Sequence, residues 1–228
     1  MHATYLEQIT AQSDPTRAVE MAAYHKAPRR YLGVANPVLN DLTKVWRQSL
    51  DLPSRVNLAD ALWQTDIHEA RLAAAKLLTQ ARIRPDGAVW ALLTSWLPDL
   101  DAWAVSDHVA MAMQKRLVAD PARLDEVETW TRSDHMWTRR AALVATLPWA
   151  KMNNPKPADT AARDRILGWA AGYVPERDWF MQKVIAWWLR DHSKHDPDAV
   201  RAFLAEHGAA MKPFARKEAG KYLKGQLE

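Results

Sequence analysis

Apolar residues recur three and four positions apart along nearly the whole chain, which is the pattern of a helix with one buried face. No stretch alternates apolar and polar residues for long enough to indicate a half-buried strand. Pro, Gly, Asn and Asp interrupt the helical pattern at short intervals, and Pro or Asp often stands where a helix would begin. The sequence therefore predicts an all-α fold of about a dozen short helices.

The turn signals place the ends of the predicted helices. The helices span about residues 2–12, 15–26, 36–47, 53–66, 68–82, 85–97, 101–117, 120–134, 136–149, 158–171, 175–194, 196–207 and 213–224. Loops are predicted at 27–35 and 151–157, and Pro148 is expected to disturb the ninth helix. Such a succession fits either a globular helical fold or a stack of antiparallel helix pairs.

The spacing of three large side chains favours the stack. Trp103, Arg140 and Trp187 lie on the seventh, ninth and eleventh predicted helices, 37 and 47 residues apart. Repeats of the HEAT type, which contain two helices, recur at about 40–47 residues. We therefore expect a curved solenoid of HEAT-like repeats over residues 1–228 as a single domain, with the helices and loop of 1–35 packed on it. The three side chains are expected to share its concave surface.

Composition excludes several classes of site. The absence of Cys excludes disulfides and thiolate metal sites. The eight His form no metal-binding pattern and no Gly-rich phosphate loop is found, so we expect no metal and no cofactor. No apolar run has the length of a membrane span and Met1 is not followed by a leader, so a cytoplasmic protein without a membrane partner is expected.

The charge balance and the tryptophan content are compatible with a polyanionic partner. The 31 Lys and Arg against 27 Asp and Glu give a formal net charge of +4, which permits such a partner but does not require one. The chain also has 12 Trp, and most are expected in the core because indoles dominate apolar burial. The Trp residues outside the core are therefore candidates for a binding surface.

The seventh predicted helix carries an aromatic residue and an acid away from its apolar face. Trp103 and Asp107 are four residues apart, so they lie one above the other on a helix. The apolar residues fall on a different face: Val105, Val109, Ala112 and Met113. An Asp inside a helix is more often structural, so a cap, a partner for an arginine and a chemical group all stay open for Asp107.

The eleventh predicted helix presents a mixed basic and aromatic face. Its apolar stripe consists of Met181, Val184, Ile185 and Trp188. Trp187 is rotated away from this stripe, toward Lys183, Arg190 and Lys194. This face suits a nucleic-acid backbone, with Lys183 and Arg190 as ligands. The alternative is that Trp187 packs on a neighbouring repeat while the charges are solvated.

Arg140 stands within an apolar stripe of the ninth predicted helix. A buried arginine needs a partner, since an unpaired buried charge is costly. Two partners are open from the sequence: an acidic group of the next repeat and a phosphate of a bound nucleic acid.

Three runs, in order along the chain, resemble the DNA alkylation repair family of AlkD-type glycosylases. They are Trp103-Ala-Val-Ser-Asp107, Trp137-Thr-Arg-Arg140-Ala-Ala-Leu and Phe180-Met-Gln-Lys-Val-Ile-Ala-Trp187-Trp-Leu-Arg190. Segments at both ends of the chain, around Tyr24 and after Phe203, are similar to that family as well. The resemblance thus covers most of the chain, and the third run is its most specific part.

This resemblance implies a DNA glycosylase of base excision repair that removes N3- and N7-alkylpurines, such as 3-methyladenine and 7-methylguanine, from duplex DNA without a metal. We expect a monomer, because a solenoid that wraps duplex DNA needs no partner. Trp103, Asp107 and Trp187 would be catalytic. Arg140 and Tyr24 would contact the DNA. The loop with Lys26, Arg29 and Arg30 departs from the family, where more apolar residues are expected. Two alternatives stay open: a DNA-binding scaffold that recognises damaged, bent or branched DNA without catalysis, and a protein-binding repeat scaffold.

Overall fold

The computed structural model describes residues 2–223, and almost all of its regular structure is helical. The helices are α1 (His2–Thr10), α2 (Pro15–His25), α3 (Asn36–Ser49), α4 (Leu52–Trp63), α5 (His68–Leu77), α6 (Gly87–Ser95), α7 (Trp103–Ala119), α8 (Leu124–Trp130), α9 (Met136–Ala145), α10 (Leu147–Ala150), α11 (Pro157–Tyr173), α12 (Trp179–His192), α13 (Pro197–His207) and α14 (Pro213–Ala219). Within these residues the only β pairing is an isolated bridge between Arg30 and Ile67. The predicted all-α class is confirmed.

Helix ends differ from the predicted ones where side chains compete for the backbone. The predicted segment 136–149 forms two helices, because Pro148 has no N–H with which to continue the first. α5 ends at Leu77 instead of 82, and the turn after it is bound by the buried Arg116, which donates to the carbonyls of Gln80 and Ile83. α14 ends at Ala219, and the predicted end at residue 224 lies outside the described residues.

The described residues divide into two compact units, one ending at Ala119 and the other beginning at Asp120. Unit 1 contains α1–α7, and unit 2 contains α8–α14. The single domain over 1–228 stays a prediction.

In unit 1, α5 is the central helix. It packs against α3 on one side and α7 on the other, while α4 and α1 also contact it. Close approach is possible because α5 presents small side chains at Ala70, Ala73, Ala74 and Ala75, all fully buried. Trp63 of α4 stacks on Trp96 with ring centroids 4.3 Å apart. These contacts place α3, α5 and α7 side by side.

A buried carboxylate holds the loop between α2 and α3. Glu69 of α5 is fully buried and accepts hydrogen bonds from the backbone N–H groups of Leu32, Gly33 and Val34 at 2.7–3.2 Å. Gly33 has a φ of 78°, and a Cβ there would lie 2.1 Å from the carbonyl oxygen of Asp14. Only glycine fits this position, because a side chain would clash with the backbone at the start of α2.

In unit 2, α12 is the central helix and contacts α9, α10, α11, α13 and α14. The predicted apolar stripe of this helix is confirmed, since all four of its side chains are fully buried: Met181, Val184, Ile185 and Trp188. Helix packing buries this stripe between its neighbours and leaves the adjacent face, which carries Trp187, only half-buried.

Candidate functional site

α7 has the two faces that the sequence predicts. Val105, Val109, Ala112 and Met113 are fully buried. Trp103, the first residue of the helix, and Asp107, one turn later, are half-buried. The helix therefore carries an indole and a carboxylate outside its core face, within unit 1.

The indole of Trp103 rests against two rings from α2. The Tyr24 ring meets it edge-on with centroids 5.9 Å apart, and the His25 ring lies 5.3 Å away. Tyr24 is 69% exposed, so it extends the aromatic surface toward solvent. Unit 1 thus brings together Trp103, Asp107 and Tyr24, three of the residues singled out from the sequence.

The imidazoles of His25 and His68 pack on the buried side of this aromatic surface. His25 lies 4.5 Å from His68, which in turn lies 4.8 Å from the ring of Tyr31. Burial lowers the pKa of His25. It also lowers the pKa of His68 to about 3, helped by the neighbouring charges of His25, Arg29 and His108. Both rings are therefore neutral at pH 7 and pack as apolar groups behind Trp103.

Arg29 fastens the start of α7 to the loop before α3. Its side chain is only 1% exposed, and it forms ion pairs with Asp101, two residues before Trp103, and with Asp66 at 3.7 Å. The basic loop thus has a structural function that the sequence did not indicate. These ion pairs hold the backbone just before Trp103, the residue at which α7 begins.

Trp187 is held by an acid on its own helix. Its indole N–H donates to Asp191 at 3.1 Å, one turn away on α12. Asp191 also pairs with Lys151 at 3.2 Å and with Arg190 at 3.5 Å. The hydrogen bond fixes the plane of the half-buried ring.

Lys183 and Arg190 meet on one carboxylate. Both pair with Glu218 of α14, Arg190 at 2.6 Å. Lys194, also expected on this face, lies over the ring of Tyr222 with its ammonium 4.3 Å from the centroid. The sequence pattern placed the basic residues together correctly. It missed Glu218, which lies 28 residues beyond Arg190 in the chain and compensates part of their charge.

Arg140 is 3% exposed and connects α9 to the first turn of α12. Its Nη1 donates to the carbonyl oxygen of Phe180 at 2.8 Å, and its guanidinium lies 6.0 Å from the centroid of the Phe180 ring. A backbone carbonyl is a partner that the sequence analysis did not consider. Arg140 and Trp187 thus lie on neighbouring helices of unit 2, and a shared surface with Trp103 and Asp107 of unit 1 stays a prediction.

No three His, Asp or Glu side chains between residues 2 and 223 are grouped so that they could hold a metal ion. No helix in the same part of the chain is both long enough and apolar enough to cross a membrane.

The chain is similar to known proteins in sequence and in fold. The model of a family described as DNA alkylation repair enzyme matches residues 5–223. A solved structure described as a predicted DNA alkylation repair enzyme from Enterococcus faecalis is 23% identical, with a TM-score of 0.78, and the match covers 94% of this chain and 98% of that one. AlkD2 from Streptococcus mutans is 18% identical, with a TM-score of 0.62, and the match covers 92% of this chain and 99% of that one.

A third structure, smu.31 from Streptococcus mutans UA159, is 20% identical with a TM-score of 0.61, over 82% of this chain and 92% of that one. No curated protein sequence matches the chain. At these identities the solved structures bear on the fold, and they confirm the predicted all-α, HEAT-like class.

Proposed function

We propose that this protein, which belongs to the DNA alkylation repair enzyme family, is a DNA glycosylase that releases positively charged N3- and N7-alkylpurines from duplex DNA. The family match covers residues 5–223 and agrees with the resemblance seen in three runs of the sequence. The proposal includes release of 3-methyladenine and 7-methylguanine as free bases without help from a metal.

One observation carries the proposal: α7 presents Trp103 and Asp107 one turn apart on a face that the core does not cover. A helix gains little stability from exposing part of an indole beside a carboxylate. The same pair suits a reaction in which positive charge develops on a sugar, because both groups interact favourably with a cation.

The leaving group explains why so few groups are needed. An N3- or N7-alkylated purine carries a positive charge, so it departs as a neutral base without protonation by a general acid. The sugar left behind resembles the oxocarbenium ion of glycoside hydrolysis. The carboxylate of Asp107, near C1′, stabilises this charge and orients the attacking water.

In the proposed reaction both tryptophans contribute to stabilising this cation. The faces of Trp103 and Trp187 exclude bulk water from the sugar and stabilise its charge through their π electrons. Each ring is already fixed, Trp103 by Tyr24 and His25, and Trp187 by Asp191. Fixed rings lose little conformational freedom when the nucleotide binds.

Four further residues bind the DNA itself in this proposal. Lys183 and Arg190 share the carboxylate of Glu218, while Asp191 pairs with Arg190 and Lys151, so three cations face two carboxylates and the cluster keeps one positive charge. Arg140 adds a charge next to the first turn of that helix. Tyr24, exposed beside Trp103, approaches the duplex from α2.

The test is the release of free 7-methylguanine from methylated duplex DNA in single turnovers. We expect release by the wild-type protein and a rate lower by about 100-fold or more for Asp107→Asn, since removal of one charge-stabilising group costs about that much in other enzymes. Asp164→Asn makes the same chemical change on an exposed site of α11 and should keep the wild-type rate. Thermal melts establish that both variants fold.

Two results would contradict the proposal. DNA binding by the wild type without base release would indicate a scaffold instead of an enzyme. A wild-type rate in a folded Asp107→Asn variant would leave the enzyme in place but exclude this carboxylate from the chemistry.

A further inference from the structure

A cationic depression lies between α3, α5 and α7, apart from the residues assigned above, and we propose that it binds a phosphodiester of the DNA backbone. Its lining includes Lys44 and Arg47 of α3, Lys76 of α5 and His108 of α7. The proposal rests on the proposed function, because it takes duplex DNA as the ligand. It adds a phosphate site in unit 1, where the sequence predicts a DNA contact at Tyr24 and catalytic residues at Trp103 and Asp107.

The cations of this depression have no anionic partner. Between residues 2 and 223, no carboxylate forms an ion pair with Lys44, Arg47 or Lys76. Asp41 is the one acidic residue in the lining. Lys183 and Arg190 of unit 2 contrast with them, since both are paired with Glu218.

The surroundings of Lys76 and Arg47 disfavour the charged forms of both side chains. Burial lowers the pKa of Lys76, and the charge of Arg47 lowers it further. Burial and the charge of Arg55 likewise lower the pKa of Arg47. Partly dehydrated cations that repel one another are costly unless an anion neutralises them. A phosphate is such an anion, with oxygens that accept several hydrogen bonds at once.

Two of the cations, Arg47 and Lys76, are held in place before any ligand arrives. Lys76 donates from Nζ to the side-chain oxygen of Asn40 at 2.7 Å. Arg47 donates from Nη1 to the backbone oxygen of Lys76 at 3.0 Å. Each side chain uses one donor in these bonds and keeps others for a ligand. Preorganised donors lower the entropic cost of binding.

The position of the depression suits a DNA strand that runs past α7. His108, which lines it, directly follows Asp107 in the chain. Nδ1 of His108 is 2.8 Å from the backbone oxygen of Ala104, so this nitrogen donates to the carbonyl and the ring is fixed. A phosphodiester held here would keep the strand next to the helix that carries the proposed catalytic carboxylate.

The experiment compares binding of an undamaged DNA duplex by the wild type and by Lys44→Gln/Lys76→Gln at several salt concentrations. Arg47 is left in place because its bond to the Lys76 carbonyl connects α3 to α5. We expect roughly tenfold weaker binding at low salt. The slope of log Kd against log salt should also fall by about one, because one phosphodiester loses its cations.

Arg132→Gln/Lys156→Gln is the matched control, because it removes the same charge from exposed sites in unit 2. It should keep the wild-type slope. Thermal stability gives a second readout: removing the partly buried charge of Lys76, which Arg47 repels, should leave the melting temperature of Lys44→Gln/Lys76→Gln unchanged or raised, whereas a merely structural role would lower it.

The outcomes separate the two proposals. If the wild type binds duplex DNA and Lys44→Gln/Lys76→Gln keeps its salt slope, the phosphate site is overturned while the glycosylase proposal stands. If the control loses as much slope, only total charge matters and the site is again overturned. A wild type that does not bind duplex DNA overturns the proposed function and this site with it.

Discussion

His68 illustrates how much a single buried residue contributes to this protein. It is 1% exposed at the first position of α5, between the rings of His25 and Tyr31. Its pKa of about 3 follows mainly from burial, so the ring stays neutral in the folded protein. An unfolded chain would titrate it near its ordinary value of about 6.5.

This difference predicts acid-sensitive stability in unit 1. Between pH 6.5 and 3 the unfolded chain binds a proton that folded His68 does not, so the free energy of unfolding falls as the pH falls. The contribution is about 1.4 kcal/mol for each pH unit below 6.5, or about 2 kcal/mol at pH 5. His68→Phe removes it, so urea unfolding should differ less between pH 7 and pH 5 in the variant. Equal losses in both proteins would show that His68 does not titrate in this way.

At the scale of elements, α12 combines a core stripe and a proposed binding face on one helix. Its N-terminus determines where both faces point. The helix begins at Trp179, four residues after the predicted start at Pro175, because the carboxylate of Asp178 accepts the backbone N–H groups of Phe180 and Met181 at 2.7 and 3.1 Å.

Removing this cap should destabilise unit 2. Asp178→Ala leaves two N–H groups without their acceptor, and we expect a loss of about 1 kcal/mol in the free energy of unfolding. Asp178→Asn can still accept and should lose less. Chemical unfolding of the three proteins measures the difference. If both variants were as stable as the wild type, the Asp178 cap would not determine where α12 begins.

At the scale of the whole molecule, the tryptophans separate into two groups. Eight of the twelve are buried: Trp46, Trp63, Trp90, Trp96, Trp130, Trp149, Trp169 and Trp188. The expectation that most belong to the core is confirmed. The other four are half-buried or exposed, and two of them, Trp103 and Trp187, are the proposed catalytic pair.

This division predicts the source of any fluorescence change on DNA binding. Core indoles do not meet a ligand, so the change should come from the partly exposed ones. Trp103→Phe/Trp187→Phe should lose most of the change that duplex DNA produces. Trp137→Phe/Trp179→Phe, which replaces the other partly exposed pair, should keep it. A titration monitored by intrinsic fluorescence would contradict the assignment if the second variant lost the signal instead.

The sequence by itself determined the helices, the buried stripes and the family. Helical periodicity is local, so the core faces of α7 and α12 could be predicted from residues within two turns of each other. The positions of Trp103, Asp107 and Trp187 outside those faces follow from the same geometry. The runs that carry them also indicated the family that the match over residues 5–223 shows.

Only the tertiary structure decided which charges are compensated. Glu218 reaches Lys183 and Arg190 from another helix. Arg29, which looks like an ordinary surface cation in the sequence, has a buried side chain that pairs with the exposed Asp101. Lys44 and Lys76, 32 residues apart in the chain, share one depression, and no carboxylate of the described residues forms an ion pair with either. Such pairings depend on contacts between distant segments, and a periodic pattern holds no information about them because it records only which face of each helix is apolar.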